Sequence, residues 1–416
     1  MNDLQRNLTL IIANQLFGDS FSTLSTIDLS RVLWEAQQQA VFPIVFSHLE
    51  SASLTDNDKL QYKQKKAEHQ ASNIRNLYYH NELHKLLSEN NIPYVILKGQ
   101  ASAYYYPNPM LRSMGDVDFL VAQSDISRVD ALLLSQGFTK LENAEKHEYH
   151  WAYKKDRESL EMHWIVPGMP ETNNDVIISY LADIIEKRRI VQNSGGEFAI
   201  PSDFHHGLVL LLHTISHMTA SGVGLRHLCD WLVFENSMSE NDFVSIFEKP
   251  LKDIGLWTFA QVLTKIGIMY FGCENRGWCR EADESVCAAF LEDIFASGNF
   301  GTKDQTRRSQ AKLIRNNATK KVTDGGIMKN ILISINERAK YDFPVMKTHP
   351  ILLPVGWVIV CVQYLFRVAQ GKRNNVFDRE LYKDAVNRNK LYSELKLFEP
   401  QQPAVLTKPR NPRREG

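Results

Sequence analysis

The chain has 416 residues, with 48 Lys and Arg against 48 Asp and Glu, and is 44% hydrophobic and 10% aromatic. At roughly 150 residues per domain this is a prior of two to three packed units, and the apolar fraction excludes disorder as the main state. A formal net charge of zero excludes general attraction to a polyanion, so any partner has to be read from a local site.

The N-terminus, MNDLQRNLTLIIANQLFG, lacks the basic start, clean apolar core and small-residue cleavage site of a signal peptide, so a cytoplasmic chain is expected. Spaced apolar residues such as Leu29, Val32, Leu33, Ala36, Val41 and Val45 predict a helical region over 1–90. The texture changes over 91–170. Tyr94 to Leu97 is a buried-strand pattern, Lys98-Gly99-Gln100 a turn into a short helix, and Pro107, Pro109 and Gly115 punctuate a loop. Asp116 to Val121 is predicted as a second strand, followed by a helix that Ser124 would cap and Gly137 would end. His147 to Lys154 and Ser159 to Ile165 complete the strand candidates, separated by Lys155-Asp156-Arg157. Helices are expected over 171–300 and 301–398, and the Pro- and Arg-rich residues 399–416 read as a disordered tail. The expected fold class is therefore α+β, a small mixed sheet embedded between helical regions.

Only Ile351 to Ala369 nears membrane length. Pro354 and Gly356 predict a shorter helix from about Trp357, buried in the protein and forming no stable membrane span. The five cysteines have no CxxC pair, which favours free thiols over zinc.

Chemistry concentrates in the α/β stretch. Within DVDFLV, Asp116 and Asp118 lie two apart on a strand, so both project from one face while Val117 and Phe119 face the other. Adjacent carboxylates repel, and a divalent cation resolves the conflict: Mg2+ (or Mn2+) takes one or two carboxylates and keeps positions for water and phosphate. Along Leu160-Glu161-Met162-His163-Trp164, Glu161 and His163 share a face, and Glu161 is a third candidate carboxylate, as metal ligand or as general base. Lys98 and Gly99, at a strand-to-helix turn, and Arg112 are candidates for holding nucleotide phosphates.

At these residues, strand-LKG, YYYPNPMLRSMGDVDFLV, a later Gly-Phe and LEMHW, the sequence resembles a bacterial nucleotidyltransferase family of the DNA polymerase beta-like superfamily; LLLHTISH and GLRHLCDW resemble it too. The resemblance implies transfer of a nucleoside monophosphate from an NTP to an acceptor, a small molecule or sugar-like compound first, with Asp116, Asp118 and Glu161 at the matching acidic positions. One departure stands out: the superfamily's Gly-Ser pair that grips the triphosphate is here Lys98-Gly99-Gln100, where Lys98 could substitute through charge. The RxxxDxD spacing from Arg112 to Asp118 also resembles nucleotidyltransferase toxins, which keeps an RNA or tRNA acceptor open, and a nucleotide-binding regulatory module without turnover is the non-enzymatic alternative.

On the helix expected from Phe204 to Met218, His206, His213 and His217 fall on one side, as acceptor- or phosphate-facing groups, metal ligands, or core histidines. His163, His213, His217 and Arg226 are candidates for the acceptor side, although Arg226 and Asp230 also fit an ordinary i, i+4 ion pair. His147 and His150, with Tyr149, Tyr153 and Lys154, are candidates for the cleft or for a half-exposed hairpin. The segment 302–321 carries seven Lys and Arg against one Asp; a solvated face or an anion-docking surface both fit.

Overall fold

The computed structural model describes residues 1–18, 29–46, 56–141, 149–170, 174–193, 195–313, 326–370 and 379–401. Helices α1 (Asp3–Phe17), α2 (Leu29–Gln38) and the 34-residue α3 (Asp56–Glu89) precede the first strand. The α/β part consists of β1 (Tyr94–Ile96), α4 (Gln100–Ala103), β2 (Val117–Val121), α5 (Ile126–Ser135), β3 (Thr139–Lys140), β4 (His150–Lys155) and β5 (Glu158–His163). After α6 (Asp175–Leu181) comes a hairpin, β6 (Arg189–Asn193) and β7 (Gly196–Ile200). Helices α7 (Asp203–Ala220), α8 (Leu225–Glu235), α9 (Glu240–Ile254), α10 (Trp257–Tyr270) and α11 (Glu284–Ser297) follow. The remaining helices are α12 (Arg307–Leu313), α13 (Gly326–Asp342), α14 (Val345–Thr348), α15 (Leu353–Ala369) and α16 (Arg379–Glu394).

The sheet order is β1-β2-β5-β4-β3, with β2 and β5 parallel and every other pair antiparallel. This is the mixed sheet of the expected α+β class. Its strands alternate as a two-sided sheet requires. Val117, Phe119, Val121, Leu160 and Met162 face a core shared with Tyr79, Leu83 and Leu87 of α3 and Val129 and Leu133 of α5. Val95, Leu97 and Leu120 face the larger helical core. Because α3 is about 50 Å long at 1.5 Å per residue, it reaches both: Tyr62 packs in the helical core and Leu87 in the sheet core.

Four local expectations change. Strand β2 begins at Val117, leaving Asp116 just before it. Ser124 lies in a 3-10 turn, and α5 starts at Ile126 without a side-chain cap. The β6–β7 hairpin falls in a stretch expected to be helical; Phe198, Ala199 and Ile200 are all buried in the sheet core, and the Ala199 amide donates to the Tyr94 hydroxyl at 3.4 Å.

The fourth is a correction. The apolar segment near 351–369 is neither shortened nor buried: α15 runs unbroken from Leu353, with only 6% of the window around it inside the protein. Pro354 sits in the first turn, where its missing N–H has no intrahelical role, and Gly356 leaves room for Met346 on the inner side. Val355, Val358, Val362, Leu365 and Phe366 are exposed. Among the described residues this is one helix long and apolar enough, by length and composition only, to cross a membrane.

The loop leaving β5 is seated on α7 by Gly168. Its φ is +92°, and a Cβ there would lie 2.1 Å from the Leu212 carbonyl oxygen and 3.3 Å from the His213 amide nitrogen. A backbone cannot give way as a flexible side chain does. Gly168→Ala is therefore expected to lower stability by about 3 kcal/mol or more, read as a large drop in thermal midpoint; an unchanged midpoint would show that the loop does not clamp the helical region to the strand.

Candidate functional site

The parallel pairing of β2 and β5 sets the site. Asp118 is in register with Glu161, and Leu120 with His163, so residues placed by two separate alternations meet on one face of the sheet. Asp118 is buried, whereas Asp116, two residues upstream, is exposed at the mouth of the cleft. Lys98 Nζ lies 2.7 Å from Asp118 Oδ1. His163 Nε2 is 3.1 Å from the same oxygen and 3.4 Å from Glu161 Oε2. Ligand atoms of Asp118, Glu161 and His163 lie within 4.8 Å of one another.

The two aspartates are electrostatically unlike. Burial alone would raise Asp118, but Lys98 and the His163 hydrogen bond outweigh it and hold the carboxyl well below the usual range. Asp116 is pushed up to about 6, first by desolvation and then by Glu161 and Asp118. His163 is raised despite burial because it hydrogen-bonds both Asp118 and Glu161. The cluster thus holds more negative charge than its own cations quench.

Gly99 opens α4 with φ 60° and ψ −115°, a backbone region open essentially to glycine. Together with Lys98 it lines a cleft of about 1590 Å³ that also contains Asp116, Asp118, Glu161, His163 and His213. That exceeds the roughly 300–1,000 Å³ of a single small-ligand pocket and leaves room for two substrates.

Arg112 is placed differently from its expected phosphate role. It is buried, and its Nε and Nη2 donate to Asp230 Oδ1 and Oδ2, both at 2.8 Å. The Tyr106 hydroxyl donates to the same Asp230 at 2.8 Å. The guanidinium is spent on tying the loop before β2 to α8. Asp230 is consequently not the partner of Arg226, and the expected helix-surface pair does not form; Arg226 points to the cleft, its guanidinium carbon 5.4 Å from the Phe300 ring centre.

The histidine stripe divides. His206 is buried, stacked on Tyr105, and has no hydrogen-bond partner for either ring nitrogen. His213 and His217 face the cleft, their Nε2 atoms 2.8 Å apart, and Lys98 Nζ lies 3.2 Å from His213 Nε2. The third member is His227 on α8, stacked on His213 at 5.3 Å between ring centres. The helical period of α7 could not indicate it, since it arrives by tertiary packing; its place in the GLRHLCDW stretch, beside Arg226, is the local signal. His150, tilted over His163 at 5.0 Å, and the exposed Tyr149 line the cleft, while Tyr153 turns to the core and donates to Asp130 at 2.6 Å. His147 lies outside the described residues.

The basic segment is corrected in part. Lys303 is tied to Glu35 at 2.9 Å, and Arg307 is buried against Asp293 at 2.6 Å and Asp304 at 3.1 Å. These charges are internal ties rather than an open surface; Arg308 is exposed at the cleft, and residues 314–321 lie outside the described part.

No curated protein matches the sequence. Among solved structures, an antigenic nucleotidyltransferase-like protein from Paracoccidioides brasiliensis shares 17% identity, with 38% of this chain and 74% of that one covered at a TM-score of 0.27. The antibiotic-resistance factor ANT(2'')-Ia shares 11%, with 49% and 93% covered at 0.28. A family model described as "Uncharacterised nucleotidyltransferase" matches residues 25–266, more than half of the chain and all of the cleft-forming strands, and the protein belongs to this nucleotidyltransferase family.

Proposed function

We propose that the chain is a magnesium-dependent nucleotidyltransferase that moves a nucleoside monophosphate from an NTP to a small-molecule or sugar-like acceptor. The observation that carries this reading is the register of Asp118 against Glu161 on adjacent parallel strands, with Asp116 at the mouth. The donor set fits a hard divalent cation: it consists of carboxylate oxygens, and Asp116 is pushed up to about 6 in part by the like charges of Glu161 and Asp118, a repulsion that a cation relieves. Asp116 and Asp118 would hold the metal, with Glu161 beside them. Bound there, Mg2+ supplies charge neutralisation at the phosphate undergoing transfer.

The remaining work falls to the chain's own groups. Glu161, less enclosed than Asp118, receives the proton of the attacking acceptor oxygen as that oxygen bonds to the α-phosphorus and pyrophosphate leaves. His163, by hydrogen bonding to both Asp118 and Glu161, keeps the two carboxylates oriented. Lys98 and Gly99 meet the phosphates at the turn after β1. Arg112 acts through Asp230 rather than on the nucleotide. An RNA acceptor is the second reading, and the internal pairing of Lys303 and Arg307 weighs against the surface it would need.

Label transfer from α-labelled NTPs with Mg2+, run against extract metabolites and RNAs, tests the assignment. Asp116→Asn and Asp118→Asn are each expected to lower transfer by at least about 10²-fold, and chelation should abolish it; equal activity in all three proteins would refute the reading.

The raised Asp116 carboxyl sets a pH dependence. Its folded value near 6 lies above the ordinary 3.8, so its ionisation works against folding, and this cost grows as pH rises from about 4 through 6. After discounting for solvent exposure, Asp116→Asn should stabilise the metal-free protein at pH 7 by about 1 kcal/mol and leave it little changed at pH 4. Mg2+ affinity should fall as pH drops through 6 in the wild type. A metal-free protein in which the variant is equally stable at pH 7 would contradict the crowding of these carboxylates.

A further inference from the structure

Facing the carboxylates across the cleft is a wall of opposite character, built from α7 and the start of α8. Arg226 lies in the first turn of α8, where Gln39 fixes the backbone: the Leu225 amide donates to Gln39 Oε1 at 3.1 Å and the Arg226 amide to the Gln39 carbonyl at 3.2 Å. The Arg226 guanidinium makes no hydrogen bond or ion pair with any described residue. The acid one turn along its helix, Asp230, is already taken by both edges of Arg112. Desolvation, with Arg112 acting in the same direction, brings Arg226 down to about 10. A desolvated guanidinium without a counterion is costly, and an anionic ligand removes that cost.

The imidazoles around it are also incompletely satisfied. His227 is 3% exposed, and neither of its ring nitrogens has a hydrogen-bond partner. His213, His217 and His227 present ring nitrogens within 4.8 Å of one another, which on geometry alone suits a transition metal as well as an anion. Electrostatics decides between them. Burial is the largest cause of the lowered basicity of all three, and Lys98 and Arg226 add to it in each. A positive field that repels a proton repels a divalent cation more strongly and attracts phosphate. A neutral imidazole donates one N–H: Lys98 donates to His213 Nε2, so His217 gives its Nε2 proton to that same atom, and a phosphate that takes up Lys98 leaves one N–H of the pair to donate to the anion.

We infer that Arg226 and His217, with Lys98 beside them, form the seat for the β- and γ-phosphates of the nucleotide, replacing the Gly-Ser grip absent from the Lys98-Gly99-Gln100 turn. The inference rests on the nucleotidyl-transfer reading and adds the position of the leaving group. Lys98 connects the two halves of the cleft: it is 2.7 Å from Asp118 on the acid side and 3.2 Å from His213 on the basic side. A nucleotide with its α-phosphate at the carboxylates would therefore place pyrophosphate against Arg226, where a planar fork binds phosphate oxygens bidentately.

The test measures binding of inorganic tripolyphosphate and of nucleoside monophosphates to the full chain by calorimetry, for wild type, Arg226→Gln, Arg226→Lys and His217→Gln, with thermal midpoints to confirm folding. Tripolyphosphate affinity should fall about 10- to 100-fold in Arg226→Gln, less in Arg226→Lys and in His217→Gln, while monophosphate affinity stays unchanged. Equal tripolyphosphate binding in wild type and folded Arg226→Gln, or none in wild type, would overturn the seat. So would a stoichiometric transition metal in the purified wild type that is lost in His217→Gln. Should Arg226→Gln fail to fold, His217→Gln and Arg226→Lys decide by the same readout. Arg226-dependent tripolyphosphate binding in a protein that transfers no nucleotide would leave the seat standing and remove the transfer reading. Transfer undiminished by Arg226→Gln would do the reverse.

Discussion

The parallel pairing of β2 and β5, which holds Asp118 against Glu161, imposes a repulsion that the surrounding structure is arranged to contain. Lys98 and His163 quench Asp118, so the innermost acid stays charged although buried. For Asp116 the pull of Lys98 is outweighed by desolvation and by Glu161 and Asp118, and its carboxyl is raised. Folding alone thus leaves the inner acid compensated and the outer one crowded by like charge, the condition on which the proposed cation site rests.

Keeping two unlike walls at a fixed separation requires ties between the sheet and the helices. Arg112, Tyr106 and Asp230 form one, a buried charge pair with an added phenol that joins the loop before β2 to α8. Removing Arg112 or Asp230 leaves the other as an uncompensated buried charge, whose cost is about 3–5 kcal/mol. Gly168 forms a second tie by letting the exit from β5 lie directly on the backbone of α7. Gln39 supplies a third, since it anchors the start of α8 from the N-terminal helical region. The separation of the two walls is therefore carried by groups outside the carboxylate cluster itself.

The acids and the sheet were legible because both are period-two phenomena. Asp116 and Asp118, or Glu161 and His163, share a face by alternation alone, and the flanking Val117, Phe119 and Met162 mark the opposite face. What alternation could not show was the inequality of the two aspartates, which depends on where β2 begins and on what Lys98 reaches. The helical wall is less legible. His206 and His213 share a side of α7, yet Tyr105 covers one and the cleft receives the other, and His227 enters from a different helix. The tie of Arg112 is hidden for the same reason: proximity in sequence to Asp118 says nothing about Asp230, 118 residues away. In α15, Pro354 and Gly356 looked like breakers but occupy the one turn that tolerates them, and the sequence carries no sign of which apolar faces find partners.

The most direct test of the carboxylate centre is anomalous diffraction from crystals grown with Mn2+ and a non-hydrolysable NTP. A manganese peak is expected about 2.1 Å from oxygens of Asp116 and Asp118, with the α-phosphate beside it. Manganese bound instead at His213, His217 and His227, or absent from the acids while nucleotide occupies the cleft, would contradict it.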